Sequence, residues 1–172
     1  MDYAQQRVSI QEAEKILFDL YHIQGTASCL PGYVDFNFRI KIDGEEGYIL
    51  KISRVGEDKK YLAYQQDLLE FIEHSNEKIT APKAIKDKNN DLVSEITDRF
   101  KKKRCVRLLS WISGKVWSAV NPQLEDLRYS IGTQSGLLTK VLQDFKHPEA
   151  HYNFDWDIAQ SLWTKKHLHL FD

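Results

Sequence analysis

Residues 36–42 alternate strictly: Phe36, Phe38, Ile40 and Ile42 are apolar, and Asn37, Arg39 and Lys41 between them are polar. A period of two gives a strand one buried face and one wet face. Before it, Leu30-Pro31-Gly32 reads as a strand end entering a glycine-containing turn. After it, Asp43-Gly44-Glu45-Glu46-Gly47 reads as a hairpin loop leading into Tyr48-Ile49-Leu50-Lys51-Ile52-Ser53. The chain is therefore expected to build a small antiparallel sheet. One lysine, Lys51, sits in the apolar part of that sheet. Desolvating an ammonium is costly unless an anion meets it, and a phosphate or a carboxylate is the natural partner.

Helices flank this sheet. Ser9 and Glu12 form a capping box, and Ile16, Leu17, Leu20 and Tyr21 make one apolar stripe, with the helix stopping near Gly25. Residues 59–75 read as a second helix with Leu62, Leu69 and Ile72 on its stripe. Residues 82–86 and 92–97 read as short strands around a turn at Asn89-Asn90, and residues 105–112 as the longest strand. This makes about five strands and two helices before residue 115. Beyond it, Asn121-Pro122 reads as a cap with proline at the first helical position. Leu124, Leu127, Ile131, Leu138 and Leu142 mark a helix ending near Phe145. Gly132 and Gly136, four apart, predict close approach of another element. Residues 155–171 read as a last helix.

The totals exclude several classes. At 172 residues the chain makes one domain or two small lobes. Its 24 basic residues against 25 acidic ones argue against a dedicated nucleic-acid binder. With 28% charged residues and no run long enough to span a bilayer, it does not read as a membrane protein. Cys29 and Cys105 imply no disulfide framework, which fits a reducing cytoplasm.

The order of several pieces carries a resemblance. These are Leu-Pro-Gly-x-x-Asp-x-Asn-Phe from residue 30, Tyr-Ile-Leu-Lys-Ile-Ser from residue 48 and Arg-Leu-Leu-Ser-Trp-Ile-Ser-Gly from residue 107. A helix, Phe145-Lys146-His147-Pro148 and Asn153-Phe154-x-Trp156-Asp157 follow. In this the chain resembles the aminoglycoside-phosphotransferase and choline-kinase group, nearest to the hydroxylysine-kinase-like enzymes, from about Leu17 onward. The resemblance implies an α+β, protein-kinase-like fold. Residues 1–114 would be the N-terminal lobe and residues 115–172 the linker and first helices of the C-terminal lobe. It further implies that Mg-ATP is bound between the lobes. Pro31, Gly32, Tyr33, Asp35 and Asn37 would cover the phosphates, Lys51 would contact them, and Leu109, Ser110, Trp111 and Ile112 would meet the adenine.

Two features depart from the group. Where a helix glutamate would pair with the strand lysine, the alignment puts Ala63, with Asp67 and Glu70 as the remaining acids. The His-Gly-Asp catalytic loop and the later metal-binding aspartate do not occur in these residues. The chain is therefore expected to be the N-terminal piece of a longer polypeptide, unable to complete transfer alone. The base, the Mg ligands and most contacts to the small-molecule acceptor would lie outside it. Helices cut from that missing partner would expose apolar faces and favour a homodimer. The alternative is a non-catalytic module of the same fold attached to another enzyme, or an unrelated helix-and-sheet binding domain.

Blander readings stand beside these. Asp35 and Asn37 also suit a simple turn cap. Arg99 to Arg104 reads as a solvated hairpin tip, not a nucleic-acid patch, because no aromatic platform accompanies it. His147 with His151, and His167 with His169, lack the companions of a metal site. Trp117, Trp156 and Trp163 read as core or lobe-interface packing, and Cys29 as a buried strand residue with no base beside it.

Overall fold

The computed structural model describes residues 7–33, 35–151 and 157–170. Helix α1 (Ile10–Tyr21) opens on the expected capping box. Glu12 N–H donates to Ser9 Oγ at 3.2 Å, and Ser9 N–H donates to Glu12 Oε2 at 2.7 Å. It ends earlier than expected, at His22 in the left-handed region with φ 55°. Strands β1 (Thr26–Leu30), β2 (Phe36–Ile42) and β3 (Glu45–Ile52) follow, then helix α2 (Lys59–Glu73). Next come β4 (Ala84–Ile85), β5 (Ser94–Thr97) and β6 (Lys103–Ser110). The sheet thus has six strands where the sequence suggested about five, all antiparallel, in the order β1-β2-β3-β6-β4 with β5 also paired to β6.

The two faces of this sheet are covered by different helices. Phe38, Ile40, Leu50, Ile52, Val106 and Leu108 pack beneath Ala13, Leu17 and Tyr21 of α1. Burial of side chains such as Leu17 and Phe38 contributes about 1.5–3 kcal/mol each. On the other face, Leu62 of α2 packs with Val93 and Cys105. Lys51 therefore does not share a face with its sequence neighbours Leu50 and Ile52; it points toward the α2 side.

The hairpin tip before β6 is only partly solvated, against expectation. Arg99 is exposed, but the Arg104 side chain is 1% exposed, ion-paired to Asp98 at 2.7 Å and donating to the Ser53 carbonyl at 3.0 Å. Cys29 lies opposite Phe38 on the edge strand β1, which is paired on one side only, and it is exposed, not buried; Cys105 is buried.

Helix α3 (Glu125–Leu142) departs most from the sequence reading. Asn121 does not cap it: the Asn121–Pro122 peptide is cis, and extended Leu124 precedes the first turn. No atom lies within 4 Å of a Cβ placed on Gly132 or Gly136, so nothing packs closely there among the described residues. Of the run read as a last helix, Ile158–Leu170 forms a 3-10 helix and not an α-helix; residues 155, 156 and 171 lie outside the described residues. Trp117 and Trp163 are 40% and 46% exposed, so neither is a core residue; Trp156 lies outside the described residues.

Candidate functional site

The register of the sheet sets one polar row. Asn37 of β2 lies opposite Lys51 of β3, and Lys51 lies opposite Arg107 of β6. Residues in such cross-strand positions have Cβ atoms about 5 Å apart, and like charges there repel. Two cations side by side on a half-buried face need an anion, and the turn between β1 and β2 supplies Asp35. Its Oδ2 lies 3.2 Å from Lys51 Nζ and accepts from Arg107 Nη2 at 2.6 Å. Lys51 Nζ also donates to Asn37 Oδ1 at 3.0 Å, while Asn37 Nδ2 donates to the Pro31 carbonyl at 3.3 Å. Arg107 Nη1 donates to Gln65 Oε1 of α2 at 2.5 Å. Burial pulls the Arg107 guanidinium below the usual arginine range, and the Asp35 charge opposes that fall.

The turn itself is tightly built. A Cβ on Gly32 would meet the Asp35 carbonyl oxygen at 2.3 Å and Asn37 Nδ2 at 2.5 Å, so only glycine fits without a shift. Tyr33 stands 82% exposed at the tip. A cavity of about 490 Å³ flanks this turn, lined by Arg7, Cys29, Pro31, Gly32 and Phe36 among others, but neither Lys51 nor Arg107 lines it.

The segment expected to meet adenine closes the other end of the face. Leu109 pairs with Ile49 of β3 and Ala84 of β4. Ser110 N–H donates to the Lys83 carbonyl at 2.9 Å, its Oγ accepts from Lys83 N–H at 2.9 Å, and Trp111 N–H donates to the Gly47 carbonyl at 3.1 Å. These two backbone donors are thus spent on the sheet. Ile112 is 40% exposed just beyond. Arg39 lies 5.0 Å over the Trp111 ring and donates from Nε to Glu46 at 2.7 Å, a fixed cation–aromatic stack.

The structure therefore brings Pro31, Gly32, Asp35, Asn37 and Lys51 together and sets Leu109, Ser110, Trp111 and Ile112 at the far end of the sheet. Neither helix acid reaches Lys51. Asp67 pairs with His147 at 3.3 Å, Glu70 with Lys86 at 3.8 Å, and Ala63 packs beside the Leu62 cluster. Sequence reasoning missed Arg107, Gln65 and Arg39. The first two become visible only once β3 is known to pair with β6, a partner more than fifty residues away.

Lys51 and Arg107 against the single Asp35 leave one positive charge on the row, which fits an anion such as a phosphate. Among the described residues, no group of three or more His, Cys, Asp or Glu comes together. None of the described helices is long and apolar enough to cross a membrane.

No protein-family model matches the chain, and no curated protein matches it. Solved structures do. Amicoumacin kinase hAmiN in complex with AMP-PNP, Ca2+ and Ami superposes with a TM-score of 0.71 at 18% identity, covering 95% of this chain and 49% of that one. The microcompartment-associated aminopropanol kinase gives 0.65 at 16% identity, covering 87% of this chain and 45% of that one. The chain thus spans about half the length of each kinase it matches. At these identities the likeness is one of architecture: an α+β fold, a six-stranded antiparallel sheet with helices, as in these two kinases.

Proposed function

We propose that this chain forms the ATP-binding part of a small-molecule phosphotransferase that moves the γ-phosphate of ATP to a hydroxyl acceptor. The observation that carries this reading is the row of Asn37, Lys51 and Arg107 beside the Gly32 turn, with one net positive charge. The amicoumacin kinase of the same fold is described in complex with a nucleotide analogue and Ca2+, which supports nucleotide and divalent-metal use here. In this reading the turn of Pro31, Gly32, Tyr33, Asp35 and Asn37 covers the phosphates and Lys51 contacts them. Leu109, Ser110, Trp111 and Ile112 border the base. The metal ligands, the catalytic base and the acceptor contacts come from outside these residues, so the chain alone gives no turnover. A cytoplasmic location fits two free thiols.

The test is a calorimetric titration with Mg-AMP-PNP of the wild-type chain and Lys51→Ala. Loss of one phosphate contact should weaken binding by about tenfold or more. Equal affinity in both proteins removes Lys51 from the site.

A second reading, a non-catalytic module of this fold, draws on one observation: Asp67 and Glu70 are tied to His147 and Lys86, so α2 offers Lys51 no carboxylate. Phosphorylation of an amine- or hydroxyl-bearing acceptor by the whole polypeptide would eliminate it. Both readings share one corollary. Val116, Leu124, Tyr129 and Ile131, all exposed, are expected to drive self-association at high concentration. A strictly monomeric sedimentation profile would contradict that.

A further inference from the structure

We propose that Asp35, Arg107 and Gln65 are positioning residues, a relay that aims Lys51 and ties its aim to helix α2. The inference rests on the reading of Lys51 as the phosphate contact. Its geometry is a chain of three links. One oxygen, Asp35 Oδ2, serves both cations, at 3.2 Å from Lys51 and 2.6 Å from Arg107, and Arg107 continues to Gln65 at 2.5 Å.

Exposure separates the roles. The side chains of Arg107, Asp35 and Lys51 are 3%, 12% and 25% exposed, in that order. Arg107 is too deep to touch a ligand; Lys51 is not. Asp35 cannot swing away for an arriving phosphate without stranding a buried guanidinium. It therefore stays, and the ammonium divides its donors. Lys51 has three N–H groups. One is donated to Asn37, and the ion pair with Asp35 holds the ammonium from a second side, which restricts where its remaining donors can point. Holding the head of a flexible four-carbon chain by one hydrogen bond and one ion pair is what gives it a defined position.

The far end of the relay lies on α2. Helix α2 supplies no acid to Lys51, yet any shift of α2 acts on Gln65, then Arg107, then Asp35. Gln65→Leu is informative because it changes no charge. A loss of nucleotide affinity in that variant can arise only through position, whereas Asp35→Asn also removes a negative charge that would repel phosphate.

The experiment measures Mg-AMP-PNP affinity for Asp35→Asn and Gln65→Leu, each alone and in the Lys51→Ala background. Expected are losses of about tenfold and about threefold in the single variants, and no further loss from either once Lys51 is gone. Tighter or unchanged binding by Asp35→Asn overturns the relay, because the carboxylate would then be a competitor of the phosphate. Losses that add in the Lys51→Ala background also overturn it. A second readout uses no nucleotide: competitive acetylation of Lys51 in the folded chain should speed up severalfold in Asp35→Asn and in Gln65→Leu. If Lys51→Ala binds nucleotide like the wild type while acetylation rises, the phosphate reading fails and the relay stands. Unchanged acetylation in both variants refutes the relay itself.

Discussion

Replacing Asp35 by an asparagine removes one charge and almost no volume, so its effect on stability measures what the carboxylate does for the two cations beside it. With Arg107 Nη2 at 2.6 Å, the charge centres stand about 4 Å apart, worth about 4 kcal/mol at an effective dielectric near 20. The amide oxygen of the substituted side chain can still accept one hydrogen bond, which recovers part of that. Arg107, 3% exposed, then lacks a counter-charge, and breaking a buried pair from one side costs about 3–5 kcal/mol. We expect about 3 kcal/mol for Asp35→Asn, or a fall in Tm of roughly 6–12 °C for a chain of this size.

The companion is Asp35→Asn with Arg107→Met. An unbranched apolar side chain fits the guanidinium stem's place and leaves no buried cation. Removing both partners is often close to neutral, so the double variant should regain about 2 kcal/mol over the single. Urea unfolding followed by tryptophan fluorescence, with the slope against urea compared across variants, reads both numbers. The reasoning is refuted if Asp35→Asn lies within about 1 kcal/mol of wild type, or if the double variant is no more stable than the single one.

Three other outcomes are expected. Gly132→Ala and Gly136→Ala face open space inside α3, so each should raise stability by about 0.5–1 kcal/mol in thermal unfolding, and a loss would reveal a close neighbour. A thiol reagent should modify Cys29 in the native chain and Cys105 only after denaturation, because burial pushes the Cys105 thiol up and closes access to it; two modified thiols in native buffer would contradict this. Burial raises the Asp98 carboxyl, but N–H groups of Lys102 and Phe100 and the Arg104 side chain outweigh it and hold it below the ordinary aspartate range. A lowered folded value adds stability that is present above the unfolded pKa of about 4 and lost as pH falls through the folded one. Asp98→Asn should therefore flatten the acid side of the stability curve below about pH 4, and an unchanged slope would refute the assignment.

What could be read in advance follows from which interactions are local. The Ser9–Glu12 box, the alternation of β2 and the stripe of α1 are all set within a few residues, and each was legible. Strand β6 hides its alternation. Its inner residues from Arg104 to Leu108 are buried without interruption, because α1 covers one face and α2 the other. A strand buried on both sides has no period of two to read. For the same reason Arg104 and Arg107 look like surface residues in sequence, yet each is neutralised inside the fold by an aspartate, Asp98 or Asp35.

The site shows the same division between local and distant information. Lys51 stood out because it lies between Leu50 and Ile52 in an apolar run; the fold turns those two to the opposite face, and the cation beside it, Arg107, is what makes a counter-anion necessary. Its solution, Asp35, lay sixteen residues upstream within the glycine turn already singled out. The second cation did not stand out, because only the pairing of β3 with β6 makes Arg107 a neighbour of Lys51. Once both cations and Asp35 are in place, the helix glutamate that the resemblance called for would cancel the one positive charge the row retains. Ala63 is then no defect in the design. The turn delivers the carboxylate from the sheet side, and the helix contributes an uncharged Gln65, which positions the guanidinium and leaves that charge free for an anion.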